Sequence, residues 1–170
     1  MKMRSTILTI LILISSSQFV SAEEIKIKSI YDGDTLTIAT GQRVRFLQID
    51  APELSPAECF GAESLQILKK LLGTSSITLE SDPVSGDVDR YGRLLRYVNA
   101  ANININLKMV ELGAATPYFY NGEKGKYSAQ LLRAAQVAKA NKIGLWKNCP
   151  NTKLNTNKPA TTGPTSNTGK

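Results

Sequence analysis

Three short segments of alternating polarity, joined by tight turns, constrain the fold of this chain most. The segments are residues 25–28, 36–38 and 44–49, in which apolar side chains recur at every second position or run on. Asp32-Gly33 and Gly41-Gln42 lie in the two connections, and such pairs favour hairpin turns. The pattern predicts a meander of three antiparallel strands near the start of the domain.

The following segments add strands and helices in a mixed order. Leucines at helical spacing, ending at Gly73, predict a first helix. Further along, the patterns predict a fourth strand at 76–80, a polar turn at 82–92, a fifth strand at 94–98, and helices near 103–112 and 128–141. We therefore expect an α+β fold, a five-stranded OB-type β-barrel with about three packed α-helices.

The two ends of the chain differ in composition from the middle. Residues 1–22 carry a basic start, an apolar run and the small residues Val20-Ser21-Ala22, which predicts a signal peptide cleaved after Ala22 and an exported protein, periplasmic or secreted. The alternative is an uncleaved membrane anchor, for which the apolar run is short. Residues 151–170 are rich in Asn, Thr, Gly and Pro, which predicts a disordered tail after a single domain at 23–150.

The chain contains two cysteines, Cys59 and Cys149, and no histidine. In an exported protein an even pair predicts a disulfide. The absence of histidine excludes imidazole bases, His-ligated zinc and Ser-His-Asp triads. The formal charge of +7 favours polyanions only weakly. An enzyme with this composition depends on carboxylates, arginines, tyrosines or a hard metal ion.

Two carboxylates are expected to meet where the second and third strands are neighbours. Asp34 begins one strand and Asp50 ends the other, and two acids there repel each other unless a cation binds between them. Oxygen ligands without His or Cys suit Ca²⁺ or Mg²⁺. Arg45 leads to Asp50, and its planar guanidinium suits a phosphate. Taken singly, each residue could equally serve a turn or a solvated strand face.

Two later segments carry aromatic and basic residues. DRYGR contains Arg90, Tyr91 and Arg93, and its alternative is an ordinary solvated turn. PYFY places Tyr118 and Tyr120 two residues apart, so that both face one side of an extended backbone. They could be half-buried core residues or could stack on nucleic-acid bases.

In combination, the motifs DGDT, RFLQIDAPE, DRYGR and the tyrosine pair, followed by NKIGLW, resemble the staphylococcal nuclease (thermonuclease) family from about residue 25 to residue 146. The resemblance implies a Ca²⁺-dependent endonuclease that hydrolyses phosphodiester bonds of DNA and RNA, single- or double-stranded, with little sequence specificity and leaves 3′-phosphate ends. After cleavage of the predicted signal peptide we expect no stable membrane association, because no later stretch is apolar enough to span a membrane, and we expect a monomer.

The resemblance assigns roles residue by residue. Metal ligation falls to Asp34, Asp50 and the backbone carbonyl of Ala51, and catalysis to Arg45, Glu53 and Arg93, with Glu53 positioning or deprotonating the attacking water. Substrate contacts fall to Arg90, Tyr91, Tyr118 and Tyr120.

Two other functions fit parts of the pattern. One is a catalytically inactive nucleic-acid-binding OB-fold module, against which the joint presence of acids and arginines argues. The other is an OB-fold protein that binds oligosaccharide or protein and holds structural calcium.

Overall fold

The computed structural model of the protein describes residues 24–159 and 162–163. The predicted signal peptide and the final residues of the predicted tail lie outside this range. None of the described helices is both long and apolar enough to cross a membrane.

The described chain forms eight strands, four α-helices and one 3₁₀ turn at Tyr120–Gly122. In chain order the strands and helices are β1 (Ile27–Ile30), β2 (Thr35–Ile38), β3 (Arg43–Phe46), β4 (Ile49–Asp50), α1 (Gly61–Leu72), β5 (Ile77–Glu80), β6 (Leu94–Ala100), β7 (Ile103–Asn104), α2 (Ile105–Glu111), β8 (Thr116–Pro117), α3 (Ser128–Ala140) and α4 (Leu145–Asn148).

The main sheet curls into a barrel of the OB type. Its strand order is β1-β2-β3-β6-β5, with antiparallel neighbours except for the parallel pair β3–β6. Ile25 and Ile77 exchange two backbone hydrogen bonds of 2.8 and 2.9 Å, which join the first strand's start to β5. Inward side chains such as Leu36, Val44 and Phe46 form one core with α1, α2 and α3. The predicted α+β, OB-type fold is confirmed.

The structure differs from the sequence prediction in three elements. The expected third strand is interrupted because Gln48 has a φ of +58°, so β3 ends at Phe46, and β4 pairs with β8 outside the main sheet. The helix expected from residue 103 begins at Ile105, because Ile103 and Asn104 pair with β6. The short helix α4 was not predicted.

The predicted disulfide between Cys59 and Cys149 is confirmed, with an S–S distance of 2.05 Å and Cα atoms 6.0 Å apart. It joins the residue two before α1 to the residue after α4. The sulfur pair packs beside Phe60, Leu145 and Trp146 in a small second cluster. The end of the domain is thereby fastened to the loop that precedes α1.

Parts of the predicted disordered tail contact the domain. The Phe119 N–H donates to the Thr156 carbonyl at 2.6 Å, and the Cys59 N–H donates to the Gly163 carbonyl at 2.9 Å. Leu154 packs against both hydrophobic clusters. The disorder of residues 151–170 stays a prediction, and these are the contacts that a truncation would remove.

Candidate active site

Arg45 lies at the centre of the candidate site and contacts two of the carboxylates singled out in the sequence. Its Nη2 donates to Asp50 Oδ1 at 2.6 Å, and its Nη1 lies 3.1 Å from Asp34 Oδ2. The same Nη1 also donates to the carbonyls of Phe46 and Ile49 at 3.0 and 2.8 Å. Four acceptors therefore fix the plane of one guanidinium group.

The β2–β3 pairing and the turn at residues 47–48 together bring Asp34 and Asp50 to the same guanidinium. Thr35 is the register partner of Arg45, so Asp34 at the start of β2 reaches the far end of β3. There the Asp34 carboxylate accepts hydrogen bonds from the Ala51 N–H at 2.7 Å and from the Thr35 hydroxyl at 3.0 Å. Arg45 bridges the two acids.

Gly33 allows this loop to lie close to α1. A Cβ atom at Gly33 would lie 2.0 Å from Ser64 Oγ and 2.6 Å from the Ala51 Cβ, both impossible contacts. Its φ is not among the positive values of the described chain. The glycine of DGDT is therefore required for close packing. The sequence had suggested a different reason, a hairpin turn.

The surroundings of Asp32 and Glu53 disfavour the charged forms of these two acids. Burial and the neighbouring charge of Asp34 raise the pKa of Asp32 to about 7. Partial burial and the Asp34 charge also raise the pKa of Glu53, while Arg45 and Arg93 act in the opposite direction. Glu53 therefore lies within electrostatic reach of the acids and of both arginines.

The opposite effect acts on Arg45. Burial lowers its pKa, but the charges of Asp34, Asp50 and Asp32 outweigh burial and raise that pKa above its ordinary value. Arg45 is thus a permanent cation at the centre of a cluster of acids.

Arg93 is held by Asp89 of the same motif. Arg93 Nε donates to Asp89 Oδ2 at 2.6 Å, while Oδ1 accepts the N–H groups of Tyr91 and Arg93. Burial raises the pKa of Asp89, but these hydrogen bonds outweigh it and lower that pKa. One interpretation of DRYGR from the sequence is an ordinary solvated turn. In the structure, the aspartate orients the arginine.

A cavity of about 440 Å³ brings together the arginines and tyrosines named from the sequence. Its lining includes Arg45, Arg90, Tyr91, Arg93, Tyr118 and Tyr120. Tyr91 and Tyr120 are 67% and 63% exposed, and the guanidinium groups of Arg90 and Arg93 lie over the Tyr91 ring at 4.8 and 5.5 Å from its centroid. Asp34, Asp50, Ala51 and Glu53 are not among the lining residues. They lie beyond Arg45, which borders the cavity.

A buried polar network beneath the cavity was missed by the sequence analysis. Gln48 Oε1 accepts from the Tyr97 and Ser128 hydroxyls at 3.0 Å each, and its backbone carbonyl accepts the Tyr118 N–H at 2.9 Å. The Tyr97 hydroxyl also lies 2.8 Å from Asp82 Oδ2, so its one proton is shared between Gln48 and Asp82. The polar Gln48 within the apolar run 46–49 was the available signal, because a buried amide needs partners.

The donor set fits a hard cation. Two carboxylates and a main-chain carbonyl offer oxygen alone, as Ca²⁺ prefers, and burial together with the Asp34 charge raises the pKa of the neighbouring Asp32. Among residues 24–159 and 162–163, however, no three acids, cysteines or histidines converge closely enough to hold a metal by themselves. A cation here would need ligands from water as well.

Comparison with known sequences identifies the family. The family described as staphylococcal nuclease homologue matches residues 43–148. The chain belongs to the staphylococcal nuclease family. The matched range includes most of the candidate site residues, whereas Asp34 precedes it. Those inside are Arg45, Asp50, Glu53, Arg93, Tyr91, Tyr118 and Tyr120.

Individual members of the staphylococcal nuclease family align over most of the chain. An uncharacterized endonuclease of Haemophilus influenzae is 35% identical over 84% of this chain and 79% of its own length. A thermonuclease of Staphylococcus hyicus is 30% identical over 72% of this chain and 75% of its own length. An endonuclease of Bacillus subtilis is 32% identical over 68% of this chain and 57% of its own length.

Proposed function

We propose that this protein is an exported, Ca²⁺-dependent endonuclease that hydrolyses DNA and RNA with little sequence specificity and leaves 3′-phosphate ends. One observation carries the proposal. Arg45 borders the tyrosine-lined cavity on one side and contacts Asp34 and Asp50 on the other. A phosphate bound by Arg45 therefore has an aromatic cavity beside it and carboxylates behind it.

Each residue has a role that follows from its chemistry. Arg45 and Arg93 bind the scissile phosphate and stabilise the charge that develops on its oxygens. Asp34, Asp50 and the Ala51 carbonyl would hold Ca²⁺, which supplies a Lewis acid for the phosphoryl oxygen. Tyr91, Tyr118 and Tyr120 offer surfaces on which bases stack.

Glu53 is the base for the attacking water. Its raised pKa makes it a better proton acceptor than an ordinary surface glutamate. The water oxygen attacks phosphorus while its proton passes to Glu53. The bond from phosphorus to the 5′ oxygen breaks, and the 5′ oxygen takes up a proton from solvent. The products are a 3′-phosphate and a 5′-hydroxyl.

Export is supported by the disulfide, since such bonds persist in oxidising compartments, and by the predicted signal peptide. A monomer is the simplest state, because the described site draws on one chain.

The test is plasmid digestion by the full-length mature protein with Ca²⁺, repeated with chelator and with Arg93→Ala. Arg133→Ala is the matched control, since Arg133 is an exposed arginine of α3 outside the cavity. We expect cleavage by the wild type and the control, and a loss of at least about 10² in Arg93→Ala. Binding of DNA without cleavage in Ca²⁺ would identify the inactive binding module instead.

A further inference from the structure

The outer face of β1, β2 and β3 carries residues that the proposed function does not use. Core side chains such as Val44 and Leu36 point inward, so their neighbours Arg43 and Thr37 point outward with Arg45. The β2–β3 register places Thr37 opposite Arg43, and the β1–β2 register places Ser29 opposite Thr37. Ser29, Thr37 and Arg43 therefore form a row across three strands.

A second row lies beside the first and ends at the candidate active site. Tyr31 donates its N–H to the Thr35 carbonyl at 2.9 Å, and Thr35 is the register partner of Arg45. The Arg43 guanidinium lies over the Tyr31 ring at 5.2 Å from its centroid and links the two rows. Tyr31 is 57% exposed, which leaves an aromatic surface next to the acids.

The first row ends at a basic cleft of about 460 Å³ on the far side of β1. It is lined by Ser29 together with Lys26, Lys28, Lys69 and the hydroxyl residues 74–76, and it includes no acid. Among the described residues these three lysines form no ion pair, whereas Lys108 and Lys126 pair with glutamates. The cleft thus combines uncompensated positive charge with hydroxyl donors.

The position of the cleft indicates what it binds. The tyrosine cavity lies on the β6 side of Arg45, because β6 is the other neighbour of β3 and contributes Leu95 to the lining. Arg43, Tyr31 and the lysines lie on the β1–β2 side. Ser29 lies two residues along the strand direction and two strands away from Arg45, a distance of about 12 Å. A nucleic-acid strand covers this distance with a few phosphates.

We propose that the surface from Arg43 and Tyr31 to Lys26, Lys28 and Lys69 is a second nucleic-acid-binding arm. It holds the substrate strand on the side of the scissile phosphate opposite the tyrosine cavity. Tyr31 offers a stacking surface for a base, and the lysines neutralise phosphates farther along the strand. This inference rests on the proposed nuclease function and adds the path of the substrate beyond the cleaved bond.

The first test measures binding without cleavage. A labelled single strand of about 20 nucleotides is titrated in chelator against the full-length mature protein and against Lys26→Gln/Lys28→Gln/Lys69→Gln. The matched control, Lys139→Gln/Lys142→Gln/Lys147→Gln, removes the same charge from the α3–α4 region. We expect the cleft variant to bind about tenfold more weakly, with the slope of log K against log salt reduced by about 2. The control should change neither value appreciably.

The second test compares substrate lengths in Ca²⁺. The cleft variant should lose about tenfold in kcat/KM on the 20-nucleotide strand and less than twofold on a dinucleotide substrate, which is too short to reach the lysines. The proposed arm would be wrong if the cleft variant kept the wild-type affinity and salt slope. It would also be wrong if the control variant lost as much affinity as the cleft variant. If the wild type cleaves neither substrate, the nuclease proposal fails, while the chelator titration still decides the arm.

Discussion

The guanidinium of Arg45 lies 2.6 Å from the carboxylate of Asp50, so the arginine assigned to the phosphate is bound to a carboxylate assigned to the cation. The same guanidinium contacts Asp34. Arg45 therefore occupies part of the negative potential that a cation needs. In the proposed site, a bound cation would compete with Arg45 for the same acids until a phosphate draws the arginine away.

The first prediction is that Arg45→Ala binds Ca²⁺ at least about tenfold more tightly than the wild type while losing at least about 10² in turnover. At an effective dielectric constant near 20, repulsion from Arg45 exceeds about 1.4 kcal/mol, and the transition state loses a preorganised donor. Calorimetric Ca²⁺ titration and single-turnover cleavage measure the two effects.

Arg45→Lys should restore wild-type Ca²⁺ affinity but little turnover, because lysine lacks the planar guanidinium. Normal cleavage by either variant would remove Arg45 from the site.

The second prediction separates the acids by function. Asp34→Asn and Asp50→Asn should weaken Ca²⁺ binding itself, because each removes a carboxylate ligand. Glu53→Gln should retain most of the Ca²⁺ affinity and lose turnover, because its role is to accept a proton from water. Titration and single-turnover cleavage are measured on all three variants. Aspartate variants with wild-type Ca²⁺ affinity would show that the metal lies elsewhere.

The sequence predicted that Asp34 and Asp50 lie close together, but it did not predict the backbone between them. The position of Asp34 beside the end of β3 follows from one tight turn and strand pairing, which are local features, whereas Asp50 reaches it through the turn at Gln48. The role of Gln48 could not be predicted in this way, because its partners Tyr97 and Ser128 lie 49 and 80 residues away. The break in the third strand has the same origin, since Gln48 leaves the strand to reach them.

Gly33 and the tail show a second limit of sequence reasoning. The turn pattern predicted a hairpin glycine, but the glycine is needed because Ser64 of α1 packs on it. The composition of residues 151–170 predicted disorder, but composition does not register single contacts such as that of Phe119 with Thr156. Both features depend on segments brought close only by the tertiary fold.

The third prediction concerns acid stability. Burial raises the pKa of Asp82, but hydrogen bonds from the Val84 and Lys126 N–H groups and the Tyr97 hydroxyl outweigh burial and lower that pKa. A carboxylate with a lowered folded-state pKa stabilises the fold above its unfolded value, near 3.9, and this contribution is lost as pH falls through the folded value. The free energy of unfolding of Asp82→Asn should therefore differ most from wild type at pH 6 to 7, and the difference should shrink as pH falls below about 3.9.

Urea unfolding at several pH values measures this difference, with Glu63→Gln as the control on α1. If the Asp82→Asn difference were independent of pH, the lowered pKa would be excluded as its source.

The fourth prediction concerns the C-terminal segment. Deletion of residues 151–170 removes the acceptor of the Phe119 N–H and the packing of Leu154. We expect the free energy of unfolding to fall by about 1 to 2 kcal/mol, with turnover nearly unchanged because residues 151–159 and 162–163, the described part of this segment, do not line the cavity. Thermal unfolding and single-turnover cleavage of the truncated chain test both statements. Unchanged stability would support the disorder predicted from composition.

The last prediction concerns the disulfide, which closes a loop with a sequence separation of 90 residues. The chain-entropy model gives such a loop an upper estimate of about 4 to 5 kcal/mol in stability.

The disulfide should also influence the position of Glu53, because the Glu53 carbonyl accepts the N–H of Glu58, the residue immediately before Cys59, at 3.0 Å. A Cβ at Gly61 would lie 2.4 Å from that same carbonyl, so the loop is packed against the start of α1. Cys59→Ser/Cys149→Ser should therefore unfold at lower urea and lose turnover several-fold, with Ca²⁺ affinity retained, since Asp34 and Asp50 are held by Arg45 of β3. Added reductant should reproduce both losses in the wild type and change nothing in the double variant. A double variant with wild-type turnover at a temperature where it is fully folded would show that the bond stabilises the domain without positioning Glu53.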